Sequence, residues 1–311
     1  STLNLTDPTV MDNYTDGPAD ASPPDTGGGL RVDEGGTVVL DGGVVEGNDS
    51  RYGGGVYSSQ GSDLTVVSTR FSDNAASSSG GGLYSSGSDA VLSLAIFHAN
   101  TAATDGGAIR VQGGAVTVQN SLFIDNASSN GAAVHLFDSA DGTLFHLTAV
   151  GNDASSGGTV RVTDDSSLSL VNSIIAFPSA GSGLSAAPGA SLDVRYNDVF
   201  NAEGPDWGGG MDDLTGVGGN IHETPGFVDF SADGTFNDDL SLAPSSACVD
   251  AGDPAEPPDP DGTTADQGAF GGELAAGWQE QLVDSDGDGW TPLDGDCDDE
   301  NPDVHPGATE Q

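Results

Sequence analysis

Asparagine occurs at positions 48, 74, 100, 126 and 152, an unbroken interval of 26 residues. A fixed period of this length means one supersecondary unit repeated along an axis, each copy burying its apolar face only against its neighbours. A second ladder keeps the same phase: Gly-rich turns deliver an aliphatic residue at Leu30, Val56, Leu83, Ile109, Val134, Val160 and Leu184. Between these markers the apolar residues alternate with polar ones, which is the period of a strand with one buried face and not that of a helix. Val38, Leu64, Ala90, Val116 and Leu168 share one column, and Leu40, Val66, Leu92, Val118, Leu144 and Leu170 another. Val45, Phe71, Phe97, Phe123, Ala149 and Ile175 form a third, so three phenylalanines stack inside the coil.

Three short strands joined by Gly, Ser and Asn turns fit within such a unit, and parallel stacking of the units gives an all-β solenoid. A propeller blade needs about 40 residues, so the period excludes that architecture. Residues 27 to about 203 then make roughly seven coils, with an axial rise of about 33 Å at about 4.8 Å per coil. The Asn column is expected to hydrogen-bond along the axis through its carboxamides.

The chain has 49 acidic residues against 6 Arg and no Lys, a formal charge of −43. Nucleic acid and anionic membrane are excluded as partners of such a surface. Low hydrophobicity with high charge describes disordered chains, but the periodic apolar columns describe a continuous core, which leaves the acid as a solvated coat. Asp in place of Glu suits a salty or calcium-bearing medium; genome composition accounts for the missing Lys equally well. No run is long and apolar enough to insert into a membrane, and no signal segment opens the chain, so Ser1 reads as the start of a processed or trimmed form. Cys248 and Cys297 permit one disulfide in an oxidising compartment, or stand as two free thiols. The sequons at Asn4, Asn13, Asn48 and Asn126 read as accidental, since the last two belong to the ladder.

Residues 1–26 are rich in Pro and Asp and carry no repeat, so they read as an extended arm. Its alternating opening, Thr2-Leu3-Asn4-Leu5-Thr6, suits completion of an exposed sheet edge, on its own first coil or on a neighbour. Beyond residue 203 come Gly219-Asn220-Ile221, Pro225-Gly226-Phe227-Val228-Asp229 and Ala243-Pro244-Ser245-Ser246-Ala247-Cys248-Val249-Asp250-Ala251-Gly252-Asp253, then Asp259-Pro260-Asp261-Gly262 and Asp266-Gln267-Gly268-Ala269-Phe270. This stretch resembles the closing segment of bacterial right-handed parallel β-helix repeat proteins, with Ser246 and Val249 as departures. Together with the repeats, the resemblance covers residues 27–272 and implies the fold, while saying little of function. Leu274, Trp278 and Leu282 then place a short amphipathic helix, or else a connector weakened by Gly277, over 273–283, packed on the last coil.

Residues 284–311 form an Asp-rich tail. Asp284, Asp286 and Asp288 alternate, Gly289 occupies the sixth place and Trp290 offers its carbonyl at the seventh, the pattern of an EF-hand-type loop that wraps a hard cation in oxygen. Gly295 stands where the bidentate Glu is usual, so Asp294, Asp296 or Asp298 must supply that ligand. The tail resembles the MopE-type metal-binding motif of bacterial surface proteins; its oxygen ligands favour Ca2+ over the copper that the family name suggests.

One outward row stands out on the repeats: Arg31, Tyr57, Tyr84, Arg110, His135 and Arg161 each follow an aliphatic ladder position, and Ser185 closes the row. Such planar and cationic groups suit stacking on sugar rings or docking of an acidic face, or else stiffen the sheet as an internal ladder. Lyases on this fold use surface Lys or Arg, which here are absent or scattered, and abundant Asp makes carboxylate pairs uninformative. The combined expectation is a non-enzymatic extracellular or cell-surface structural or adhesion protein with a calcium-binding tail, partnering glycans or itself head-to-tail in filaments. The rival is a carbohydrate-active enzyme.

Overall fold

The computed structural model describes residues 2–15, 25–231, 238–281, 285–287, 291 and 301–304. It is an all-β parallel solenoid of about seven turns, with a coil of close to 26 residues. Among the described residues, helix is confined to Glu273–Ala275 and Ala276–Gln281.

Strand pairs between consecutive coils are parallel and follow the register that the period dictates. Leu64 lies beside Ala90 and Ala90 beside Val116, while Val56, Leu83 and Ile109 run in line on the opposite sheet. The strands form two sheets, of 14 and 12 members. Each coil contributes up to four short segments in place of the three expected, because the first sheet bends once per coil. At that bend Ser68, Leu94, Asn120, His146, Asn172 and Tyr196 all take the left-handed conformation, with φ between 45° and 53°. A single left-handed residue turns the chain without breaking the ladder on either side, at a steric cost for Leu94 and Tyr196 that the packed neighbours must offset.

The interior is the set of columns read from the sequence. Phe71, Phe97 and Phe123 are fully buried and stack with ring centroids 4.6 and 5.1 Å apart. At the next corner, Asn48, Asn74, Asn100 and Asn126 each direct Nδ2 to the Oδ1 of the next Asn at 2.9 to 3.0 Å. Each also donates to a backbone carbonyl of the preceding coil; Asn100, for example, reaches Phe71 O at 2.9 Å. A buried carboxamide satisfied in this way locks both the turn and the vertical register.

The arm is not a free extended segment. Thr2–Thr6 pairs with Thr37–Asp41, and Thr9–Met11 with Val44–Glu46, so residues 2–15 add a partial coil to the chain's own first turn. Asn13 joins the ladder, donating from its backbone N–H and its Nδ2 to Asn48 Oδ1 at 3.0 and 2.9 Å. Composition pointed to an arm, but the backbone hydrogen bonds left open at the edge of the first coil outweigh it.

A second apolar cluster lies outside the solenoid. Ile96, Leu122, Ile124, Val150, Ile174 and Ala176 face outward from the first sheet and are covered by Leu240, Cys248, Ala269 and Trp278 of the C-terminal segment. The short helix therefore does not pack on the last coil, as its position in the sequence suggested, but well back along the flank beside Leu94. A Cβ on Gly277 would sit 2.4 Å from Leu94 Cδ1, so the residue that weakens the helix is also what lets it approach. The segment is tied down by polar contacts as well: Asn120 Nδ2 donates to Ala269 O and Gly271 O, Ala269 N to Thr148 Oγ1, Gly268 N to Asn172 O, and Asp253 N to Asn172 Oδ1.

Candidate functional site

Of the residues expected to hold calcium, Asp284, Asp288, Trp290, Asp294, Asp296 and Asp298 lie outside the described residues, and Asp286 is half-buried. Among the described residues no group of three or more His, Cys, Asp or Glu side chains is arranged to hold a metal ion. Cys248 is a free, buried thiol among the described residues, and Cys297, its expected partner, lies outside them. The Cys248 thiol donates to Asp198 Oδ2 at 3.3 Å, and burial together with that carboxylate raises its pKa. Asp198 also accepts the Glu223 N–H at 3.0 Å, and burial pushes its carboxyl up to about 6.

The outward row is a single register on the second sheet, running Arg31, Tyr57, Tyr84, Arg110, His135, Arg161 and Ser185. Its middle is not presented to solvent: Tyr84 and Arg110 are 7 % exposed and His135 is 4 % exposed. Asp105 and Tyr52 from one flank, and Gln112 and Phe137 from the other, close over it. Arg110 pairs with the Asp105 carboxylate and lies over the rings of Tyr84 and Phe137, at 5.7 and 4.6 Å from their centroids. Tyr84 donates its hydroxyl to Gln112 Oε1 and packs against Tyr52 and Tyr57 at 5.6 and 5.4 Å. Arg31 is held by Asp33 and Thr26. Burial alone would raise the Asp105 carboxyl, but the adjoining His135 and Arg110 outweigh it and hold it well below the usual range. Burial lowers His135, with Asp105 opposing. Asp105 Oδ1 lies 3.4 Å from His135 Nδ1 without a well-formed hydrogen bond, and His135 Nε2 lies 3.2 Å from Thr163 Oγ1. Nucleophilic catalysis needs a substrate at the hydroxyl, and Thr163 is buried. These contacts match the internal ladder that stiffens a sheet, the second of the two readings the sequence allowed.

The C-terminal segment builds what the sequence reading missed. Where it crosses the flank, Asp259, Asp261 and Asp266 line a cavity of about 550 Å³ together with Ser241, Phe270 and Trp278. Asp259 accepts the backbone N–H groups of Gly272 and Asp266, and Asp266 accepts that of Asp250 at 2.7 Å. Burial raises both carboxyls, Asp266 to about 6 with help from the neighbouring Asp charges. Asp261 goes the other way, lowered by the backbone N–H and hydroxyl of Thr263 at 2.9 and 2.7 Å. No spacing rule could single these three out in a chain so rich in Asp.

Residues 7–154 match the family model of the right-handed β-helix region, a match that begins within the docked arm and ends just beyond Asn152. Comparison with curated proteins and with solved structures returned no match. The stacked ladders and the parallel register make the chain a parallel β-solenoid, and over residues 7–154 it is similar to the right-handed β-helix region.

Proposed function

We propose that the chain is an extracellular surface or matrix protein whose role is structural and adhesive, with calcium bound by the Asp284–Asp298 tail. The observation that carries this reading is the pair of axial ladders, Asn48 to Asn152 and Phe71 to Phe123, buried and continuous from coil to coil. A column of satisfied carboxamides and stacked rings gives a stiff spacer, and the acidic coat keeps it dispersed. Donation of the arm to a neighbour would require Thr2–Met11 to leave its own coil, so filament growth by that route is carried no further.

Labelling of intact producing cells with an antibody to the chain, with and without a chelator, tests the reading. The expected result is label on the cell exterior that is released when calcium is removed. Label found only after cell lysis would sink the surface assignment; label indifferent to chelation would sink the role of the tail.

A further inference from the structure

The docked arm is the last strand of the first sheet at its N-terminal end. Among the described residues Thr2–Thr6 pairs only with Thr37–Asp41, which leaves its other edge open. Asp7 donates its N–H to Asp41 O, and backbone direction alternates along a strand, so Leu3 and Leu5 also turn their N–H and C=O groups toward the coil. Thr2, Asn4 and Thr6 turn theirs to the open edge. Leu3 and Leu5 lie in register with Val38 and Leu40 of the inward columns, yet Leu3, at the head of its column, is 47 % exposed. Sheet edges are usually blunted by Lys, Pro, a bulge or a charge, and Thr2-Leu3-Asn4-Leu5-Thr6 has none of these. That sequence also reads the same in both directions.

We propose that two copies of the chain join head to head through Thr2–Thr6, paired antiparallel across a two-fold axis at Asn4. Thr2 then meets Thr6, Asn4 meets Asn4, and Leu3 meets Leu5. The residues with open backbone groups fall in the hydrogen-bonded positions, which exchange two bonds per pair, roughly six in all. The leucines fall in the positions between, where side chains approach most closely, and each covers the exposed column of the other copy. The charges agree with this pairing. The strand itself is uncharged, and the two Asp7 carboxylates fall at opposite ends of it, about 20 Å apart and beyond the screening length of about 10 Å. The arm stays on its own coil and carries the first sheet on into the second copy. Such a contact is isologous and closes, so it gives a dimer and no fibre. Confined to one coil end, it is smaller than the roughly 800 Å² per partner of a standard interface, so the dimer is reversible.

Sedimentation equilibrium of the full chain in high salt, where the charge of −43 is screened, should show monomer and dimer in exchange. Asn4→Pro removes an N–H that faces the open edge and spares the bonds to Thr37–Asp41. It should keep the fold and weaken the dimer by about tenfold or more. With an oxidant, Asn4→Cys should link to itself, as located by peptide mass analysis. A bonded antiparallel pair sets its Cα atoms about 5.5 Å apart, within reach of a disulfide. Thr2→Cys should not link to itself, since the two-fold axis sets those residues about 14 Å apart. Should Asn4→Pro loosen the arm, the two crosslinks still decide. A monomer at every concentration would overturn the proposal, as would growth beyond the dimer. So would a dissociation constant unchanged in a folded Asn4→Pro, or equal crosslinking in Thr2→Cys.

Discussion

The carboxamide of Asn100 donates to Asn126 Oδ1 at 3.0 Å, and the same oxygen receives the Asn100 backbone N–H, also at 3.0 Å. One oxygen thus closes a ring between adjacent coils, and Asn100 offers its own oxygen to Asn74 in the same way. Replacing Asn100 by Ala would leave the Asn74 backbone N–H and one Asn74 Nδ2 hydrogen unpaired in a dry interior. The expected loss is about 3 to 5 kcal/mol, since each buried orphan costs about 1 to 3 kcal/mol. Asn13→Ala, at the exposed end of the same column, should lose about 0.5 kcal/mol or less. Urea unfolding of the two variants checks the gradient; equal losses would mean the ladder is not what holds the coils.

Phe97 is sandwiched between Phe71 and Phe123, with interplanar angles of 10° and 3°. Phe97→Ala should destabilise by about 3 to 5 kcal/mol, and Phe97→Leu by clearly less, because Leu refills most of the cavity. A loss near zero for Phe97→Ala in denaturant titration would place the column outside the core.

Cys248 should be inert toward thiol reagents in the folded chain, because the reactive thiolate is suppressed by burial and by Asp198. Alkylation followed by peptide mass analysis should show Cys248 unmodified in native buffer and modified in denaturant without reductant. Modification only after reduction would reinstate a disulfide.

Acid should act on this fold in two opposite ways. His146 is buried with its pKa pushed down to about 4, whereas an exposed imidazole titrates near 6.5. Above about pH 6.5 both folded and unfolded states are neutral and nothing is lost. As pH falls from there through 4, the unfolded chain takes the proton first, and up to about 3 kcal/mol disappears. Asp198, raised to about 6, is protonated in the fold before it is in the unfolded chain, so its contribution is present below about pH 4 and lost as pH rises through 6. Between pH 7 and 4, Asp198→Asn should therefore lose stability more steeply than the parent, and His146→Gln less steeply. Parallel stability profiles for all three would refute these assignments.

The coil was legible because its signals recur in fixed phase, and the strand register is that phase made physical. The arm was not, because Asn13 meets Asn48 at a separation of 35 residues instead of 26. A local signal was nevertheless present: Asp12 precedes Asn13 as Asp73 precedes Asn74 and Asp125 precedes Asn126, and all three Asp residues are left-handed. The row from Arg31 to Arg161 shares one register, but the burial of its middle depends on Asp105 and Phe137 folding over it from the turns, which alternation along a strand does not report. The cavity was the least legible feature. Its walls belong to a segment held to the coils by contacts such as Asn120 with Ala269, 149 residues apart, and no period connects them.

A stack in which each coil touches only its neighbours would, if pulled along its axis, peel away one turn at a time. The C-terminal segment changes that mechanical behaviour. Its anchors at Asn120, Thr148, Asn172 and, through Asp253, Arg195 fall on four successive turns, like a splint laid across a stack of rings. Tension reaching that half of the rod is shared among the four turns and must strip the splint before any one of them can open, whereas the turns before Leu94 rely on their ladders.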